Sequence, residues 1–186
     1  MNAERDFFSA MYVALEKIVG SLDHDEVMKN VVESTVKAVG LKACSLRLLD
    51  HRRKRLLFGC STGLSENYIR KGPVLIEESA LDREALEGKT VYIENAQIDK
   101  RFQYPEKAKQ EGIFSVLVAP LTAGKEAVGV IRIYSAEVRR FDEEEMKFLE
   151  AMARLSGLAL ENARLHRALQ SDFAALAADR YRIDEN

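Results

Sequence analysis

The sequence predicts an α+β fold in which helices at both ends of the chain flank a block of antiparallel strands. Residues 43–60 and 114–135 each contain two short alternating segments joined by a turn, the pattern of a β-hairpin. Residues 8–22 and 148–176 instead carry apolar residues at spacings of three and four, which is the period of an amphipathic helix. Hairpins grouped between helices are typical of α+β proteins.

Composition excludes several classes of protein. A chain of 186 residues that is 47% hydrophobic is long enough for one buried core and short for two. The net charge of -2 gives no basic excess for nucleic acid. The longest charge-free apolar stretch, residues 113–124, contains a proline and is shorter than the roughly 18 residues that suggest a membrane span. Charged residues at the start lack a signal-peptide pattern, so a cytoplasmic protein with no membrane partner is expected.

The N-terminal helix is predicted to carry a coiled-coil-like seam and to end near Gly20. A second helix begins at Asp23, whose carboxylate can cap the free backbone amides with Glu26 three residues later. Gly40 stops that helix before the first hairpin. We expect residues 1–21 to form a dimerisation helix through a seam of Phe8, Met11, Leu15 and Ile18.

The C-terminal helix is predicted to start after a capping box of Asp142 and Glu145 and to run for about forty residues. A helix of this length cannot bury its far half against one compact domain, which predicts a partner helix and a homodimer. A competing apolar stripe at Leu158 and Leu165 leaves the register open. The predicted seam comprises Phe148, Met152, Leu155, Ala159, Asn162, His166, Leu169, Phe173 and Leu176, of which Asn162 and His166 either fix register, sense pH or are simply exposed.

The first hairpin sorts into an apolar face and a face that carries arginine. If Asp50 pairs with Lys54, the apolar face joins Cys44, Leu46 and Leu48 to Cys60, Phe58 and Leu56. This register sets Cys44 opposite Cys60, either as two small core side chains or as a redox-sensitive pair. The other face combines Ser45, Arg47 and Leu49 with Gly59, Leu57 and Arg55.

The second hairpin repeats this division of faces. Ile131 and Ile133 share one face, while Val130, Arg132 and Tyr134 share the other. Two strands therefore present an arginine from a mainly apolar surface.

The middle of the chain predicts smaller elements. Residues 79–87 form a short helix that closes at Gly88, and residues 90–94 form a third strand. Residues 95–112 contain no long apolar run, only Phe102, Tyr104 and a charged stretch, which is typical of a covering segment.

Several motifs resemble the GAF domain, a widespread sensory module. They are the strand Ala43–Asp50, the block Gly112–Leu121, the strand start Gly129–Ile131 and the helix start Phe141–Glu143. The resemblance covers residues 22–165 and leaves residues 166–186 as a helical extension. It implies a central antiparallel sheet of five or six strands, with helices from both termini on one face and a ligand pocket with a lid on the other.

Carried over by position, the resemblance implies a pocket lined by strand and lid residues. If the family's strand order holds, Arg47 and Arg132 lie on neighbouring strands and offer two guanidinium groups to a carboxylate or phosphate. The alternative is that each arginine pairs with an acidic residue such as Glu94, Asp99 or Glu106. The implied pocket residues are Ser45, Arg47, Arg132, Tyr134, Phe102 and Tyr104.

The chain departs from several ligand classes of the family. Tyr134 and Ser135 stand where phosphodiesterase-associated relatives carry an Asn-Lys pair, which argues against cyclic nucleotides. The covering segment has no cysteine for a covalent bilin. Relatives that reduce methionine sulfoxide use cysteines near the pocket, whereas Cys44 and Cys60 are predicted to face the core. The three histidines are far apart in sequence, so neither a metal site nor an enzyme is expected, and no cofactor is identified.

The expected function is a non-enzymatic sensor of a small, anionic molecule that signals through the terminal helices of a homodimer to a separate output protein. Two alternatives remain open: a dimerisation or interaction module with no ligand, and a thiol redox sensor that uses Cys44 and Cys60.

Overall fold

The computed structural model describes residues 6–184, with side chains described from residue 6 to residue 176. None of the helices in this part of the chain is both long enough and apolar enough to cross a membrane. In chain order the elements are α1 (Phe7–Val19), α2 (His24–Val39), β1 (Ala43–Leu49), β2 (Arg55–Thr62), α3 (Glu66–Ile69), β3 (Val74–Leu75), α4 (Ala80–Leu86), β4 (Val91–Ile93), α5 (Pro105–Glu111), β5 (Val116–Ala123), β6 (Glu126–Tyr134) and α6 (Glu143–Asp184).

One antiparallel sheet of six strands forms the centre, in the order β3-β2-β1-β6-β5-β4. The predicted α+β class and both predicted hairpins are confirmed. The two-residue strand β3 at the edge was not predicted, because a pair of residues after the Gly72-Pro73 turn carries no alternation to detect. Its pairing with β2 places the preceding loop beside the arginine-bearing face of the sheet.

The two faces of the sheet carry two separate apolar cores. Strand β6 shows the division, because Ile131 and Ile133 belong to one core while Val130 and Tyr134 belong to the other. Residues of α1, α2 and α6 complete the first core, so the terminal helices cover one face as expected. The opposite face is covered by side chains from the short elements α3, α4 and α5.

Capping side chains fix the helix starts. Asp23 accepts hydrogen bonds from the amides of Asp25 and Glu26 at the start of α2. At α6 the capping box is complete: Glu145 N donates to Asp142 Oδ1 at 2.8 Å, and Asp142 N donates to Glu145 Oε2 at 3.1 Å. Both predicted helix starts are therefore confirmed. The predicted role of Glu26 is wrong, because its carboxylate accepts from the Ser21 hydroxyl while the Asp23 amide donates to Ser21 Oγ.

The predicted register of the first hairpin is wrong because the turn is one residue longer than predicted, with Asp50 opposite Arg55, and because β2 also contains a bulge. Leu46 pairs with Cys60 and Arg47 pairs with Phe58, so Gly59 is the extra residue between them. The longer turn pairs Leu56 with Leu49 and places it on the arginine-bearing face, where it joins the second core. Cys44 lies opposite Thr62 rather than Cys60. A one-residue bulge reverses the alternation beyond it, and alternation alone gave no signal for it.

Helix α6 packs directly on strand β5 at Gly157. A Cβ atom at this position would lie 2.6 Å from Thr122 N and still closer to the Thr122 carbonyl oxygen. Contacts that short with backbone atoms force the helix and strand apart.

We therefore expect Gly157→Ala to destabilise the protein by about 1–3 kcal/mol, the range typical of an overpacked core. In an open helix the same change would stabilise by about 1 kcal/mol. Urea unfolding of Gly157→Ala and of the exposed control Arg154→Ala measures the difference. Stabilisation by Gly157→Ala would contradict the close approach.

The terminal helices leave apolar residues uncovered within one chain. The predicted seam needs correction, because four of its residues are buried in the first core and are not available to a partner: Ile18, Phe148, Met152 and Ala159. Met11 and Leu155 also pack against that core. The large apolar side chains of these helices that remain exposed within the described residues are Phe8, Tyr12, Val13, Leu15, Val19, Leu158, Leu165, Leu169, Phe173 and Leu176.

Candidate functional site

The candidate site lies on the face of β1 and β6 that is opposite the terminal helices. These strands are adjacent, and their register sets Ser45 beside Arg132. The Ser45 and Tyr134 hydroxyl groups are hydrogen-bonded at 2.9 Å. The four predicted strand residues are thus brought together, because alternation sends Ser45, Arg47, Arg132 and Tyr134 to one face.

Arg132 forms a buried ion pair with Asp82 from α4. Its Nε donates to Asp82 Oδ1 at 3.1 Å, and its second terminal nitrogen donates to Asp82 Oδ2. Burial opposes the charge on Arg132, but the adjacent Asp82 carboxylate outweighs burial and raises the pKa of the guanidinium. The Ser79 hydroxyl also donates to Asp82 and holds the carboxylate in place. This pair is the electrostatic anchor of the site.

Arg47 is buried, and no acidic side chain in the described part of the chain pairs with it. It is only 2% exposed, and Nη1 reaches the Leu56 carbonyl oxygen at 3.4 Å, which is a weak contact. Its Nε has no hydrogen-bond partner among the described residues. Burial, and then the charge of Arg132, lower the pKa of Arg47. Arg47 therefore has donors to offer and a charge to compensate.

Lys71, in the turn between α3 and β3, brings a third basic group to the same place. Its Nζ lies 3.4 Å from the ring centroid of Tyr68, 5.4 Å from that of Tyr104 and 5.8 Å from that of Phe102. Like Arg47 Nε, it is enclosed and has no hydrogen-bond partner among the described residues. Burial, and then Arg132 and Arg47, lower the pKa of Lys71 to about 5.

The acidic residues of the covering segment do not balance these groups. The carboxylate that binds Arg132 is Asp82, not one of Glu94, Asp99 or Glu106, and Asp99 pairs with Arg101 instead. Glu111 of α5 accepts from the backbone amide and hydroxyl of Ser65, which caps α3.

The cover over the site comes from two segments rather than the one predicted. Phe102 and Tyr104 belong to the predicted segment, and both contribute to the second core. The loop before β3 is the other part, and the Tyr104 hydroxyl donates to the Pro73 carbonyl oxygen at 3.1 Å to join the two. Tyr68 packs edge-to-face on Tyr134, with ring centroids 6.1 Å apart, and connects this cover to the sheet.

Sequence reasoning missed Tyr68, Lys71 and Asp82. Asp82 lies in the first turn of α4, where an acidic residue is already explained by the helix dipole. Tyr68 and Lys71 belong to a four-residue helix and its following turn, which are too short to show a period. The only available signal was the surplus of arginine on the sheet, which requires a carboxylate or an anion nearby.

The two cysteines lie on the other face, away from the site. Both are free thiols, and Cys44 is fully buried in the first core. Burial raises the pKa of Cys44, and it also raises the pKa of the partly exposed Cys60. Because the thiolate is the reactive form, both environments disfavour redox chemistry. Within the described residues no cluster of three or more His, Cys, Asp or Glu side chains is placed to hold a metal ion.

The antiparallel sheet, with terminal helices on one face and short covering elements on the other, agrees with the family comparison. The GAF domain family matches residues 21–161, and the chain belongs to this family. The chain is 30% identical over 161 residues to the methyl sulfide methyltransferase-associated sensor of Methanosarcina acetivorans, a match that covers 84% of this chain and 16% of the relative. It is 23% identical over 167 residues to the formate hydrogenlyase transcriptional activator of Salmonella typhimurium, covering 86% of this chain and 24% of the relative.

Solved GAF domains share the architecture. The GAF domain of a phosphoenolpyruvate-protein phosphotransferase from Coxiella burnetii superposes with a TM-score of 0.78 at 20% identity, covering 90% of this chain and 99% of that one. The corresponding Acinetobacter domain gives 0.72 at 21% identity, covering 85% and 94%. At these identities the likeness shows the fold. The chain spans less than a quarter of the length of the curated relatives described above.

Proposed function

We propose that this GAF domain is a cytoplasmic, non-enzymatic sensor that binds a small organic or inorganic anion between the β1–β6 face and its cover. The observation that carries the proposal is Arg47, a guanidinium 2% exposed that has no carboxylate partner among the described residues and an unused Nε donor. A buried charge without a partner is costly, and a bound carboxylate or phosphate would supply the missing interactions.

The arrangement of charges supports an anion over a cation. Two guanidinium groups and one amine meet at the site, and Asp82 is engaged with Arg132. An anion bound here would accept hydrogen bonds from Arg47 and Lys71 while its body contacts the rings of the cover. Binding would then fix α3 and α5 on the sheet.

A thermal-shift screen tests the anion site. We expect at least one of the acids acetate, lactate, benzoate and inorganic phosphate to raise the melting temperature of the native protein, since a ligand of the folded state stabilises it. The shift should be lost in Arg47→Met, and the neutral benzamide should have no effect. Equal shifts in Arg47→Met, an equal effect of benzamide, or no response to any acid would contradict the proposal.

Signalling through a homodimer is the second part of the proposal. Exposed Phe8, Tyr12, Leu15 and Val19 repeat at spacings of four, three and four on α1, the pattern of a coiled-coil seam. The exposed Leu158, Leu165 and Leu169 continue such a stripe along α6. A second copy that covers these stripes would carry a change at the site to an output partner through α6.

Charges placed in the α6 stripe should separate the dimer. We expect Leu165→Glu/Leu169→Glu to convert a dimer into a folded monomer, measured by light scattering after size-exclusion chromatography. Gln170→Glu, exposed on the same helix, is the control and should remain dimeric. A monomeric native protein, or a dimer that survives the double change, would contradict the helical interface.

A further inference from the structure

Lys71 is the basic group at the site whose charge has the least support. Its amine lacks a hydrogen-bond acceptor and lies among the rings of Tyr68, Phe102 and Tyr104, at 3.4, 5.8 and 5.4 Å from their centroids. Aromatic faces attract an ammonium group, so the cage suits the charged form. What the cage lacks is a counter-charge.

Among the described residues, the charged groups that act most strongly on Lys71 are two cations and two carboxylates that already accept hydrogen bonds. Arg47 on β1 and Arg132 on β6 repel an ammonium at this position, while Asp82 on α4 and Glu111 on α5 attract it. Asp82 is held by Arg132 and Ser79, and Glu111 by Ser65. Tyr68 contributes a neutral phenol, because burial raises its pKa.

The balance leaves Lys71 as a neutral amine near pH 7 in the free protein. Burial is the main cause, followed by the two arginines, and together they lower the pKa to about 5. An anion that binds beside Lys71 attracts the ammonium form and offsets its repulsion by the two arginines. The amine then gains a proton from solvent.

Resting on the proposed anion site, we propose that the domain takes up its ligand together with one proton, which Lys71 gains. The ligand class is a small carboxylic or phosphoric acid. One solvent proton adds to the Lys71 amine nitrogen and forms an N–H bond. The resulting ammonium pairs with the bound carboxylate or phosphate inside the aromatic cage. No other covalent bond changes. The domain therefore responds to the concentration of the undissociated acid, which rises with the anion concentration and falls as pH rises.

Linkage gives the sign and size of the pH dependence. With Lys71 neutral when free and charged when bound, each complex carries one extra proton, so affinity falls as pH rises. For a carboxylate that is fully ionised above pH 6, the dissociation constant should increase roughly tenfold per pH unit between pH 6 and pH 8. Lys71→Met should remove this slope.

Titration calorimetry in two buffers measures the proton directly. The probes are acetate, lactate and benzoate as carboxylates and inorganic phosphate as the phosphate, each titrated in PIPES and in Tris at pH 7. For each carboxylate probe, we expect the heat per mole of anion bound to differ between the two buffers by the difference between their ionisation enthalpies, both for the native protein and for the exposed control Lys89→Met. With these probes Lys71→Met and Lys71→Gln should show no difference between buffers. Phosphate exchanges its own proton near pH 7, so with phosphate the native protein should take up one proton more than these two variants. The probe that binds identifies the acid as carboxylic or phosphoric.

The outcomes separate this inference from the proposed function. Anion binding with equal heats in both buffers would overturn proton uptake and leave the anion sensor intact, while no binding of any probe would overturn both. A second measurement needs no variant and no ligand. The side-chain NMR resonance of Lys71 in the free protein should titrate at a pH well below that at which exposed lysines titrate. A charged Lys71 at pH 7 without ligand would also overturn the inference.

Discussion

Replacing Arg132 with methionine is expected to destabilise the fold by about 3–5 kcal/mol, the cost of leaving one partner of a buried ion pair unpaired. The Asp82 side chain is 0% exposed and would keep only the hydrogen bond from Ser79. The pair also joins α4 to the central strand β6. Urea unfolding of the native protein and of Arg132→Met measures the loss.

Two further variants make this result specific. Asp82→Leu/Arg132→Met removes both charges and should recover most of the stability, since apolar replacements of a buried pair are often neutral. Arg70→Met breaks an exposed pair with Glu66 and should cost about 0–1 kcal/mol. If Arg132→Met costs no more than Arg70→Met, the pair is not the anchor of the site.

Arg47→Met is expected to have the opposite effect and to raise stability by about 1–3 kcal/mol, the penalty of a buried polar group that lacks partners. Arg47 has no carboxylate to leave behind, and its one contact to Leu56 is long. The same urea series measures this gain. Arg52→Met, in the exposed turn of the first hairpin, is the control and should change little.

A stabilising loss of Arg47 would mean that the residue is retained at a cost to the fold. Residues of this kind are expected at binding sites, where the ligand supplies the missing interactions. A clear loss of stability in Arg47→Met would instead show that the guanidinium has a structural partner, and would count against an anion site.

The sequence predicted the fold because its signals are long and periodic. The helical period of α6, the capping box at Asp142 and the alternation in β6 each extend over several residues, and all three elements appear where expected. The bulge at Gly59 and the strand β3 were missed because each depends on one or two residues. Pairing with a neighbouring strand, not local preference, determines such features.

The candidate site was predicted in part, for a related reason. Ser45, Arg47, Arg132 and Tyr134 share a face by alternation, and the adjacency of β1 and β6 brings them together. Asp82 and Lys71 come from short segments whose place depends on packing over the sheet. Their charges carry no period, so their partnership with the arginines becomes visible only in three dimensions.

The most direct test of an anion site at Arg47 uses the acid that most stabilises the native protein. Its dissociation constant is measured for Arg47→Met and for the native protein. Hydrogen bonds to charged groups contribute about 1.5–3 kcal/mol, so we expect Arg47→Met to lose affinity by roughly 10- to 150-fold. Unchanged affinity in a variant at least as stable as the native protein would show that the anion, if bound, does not bind at Arg47, and would contradict the account.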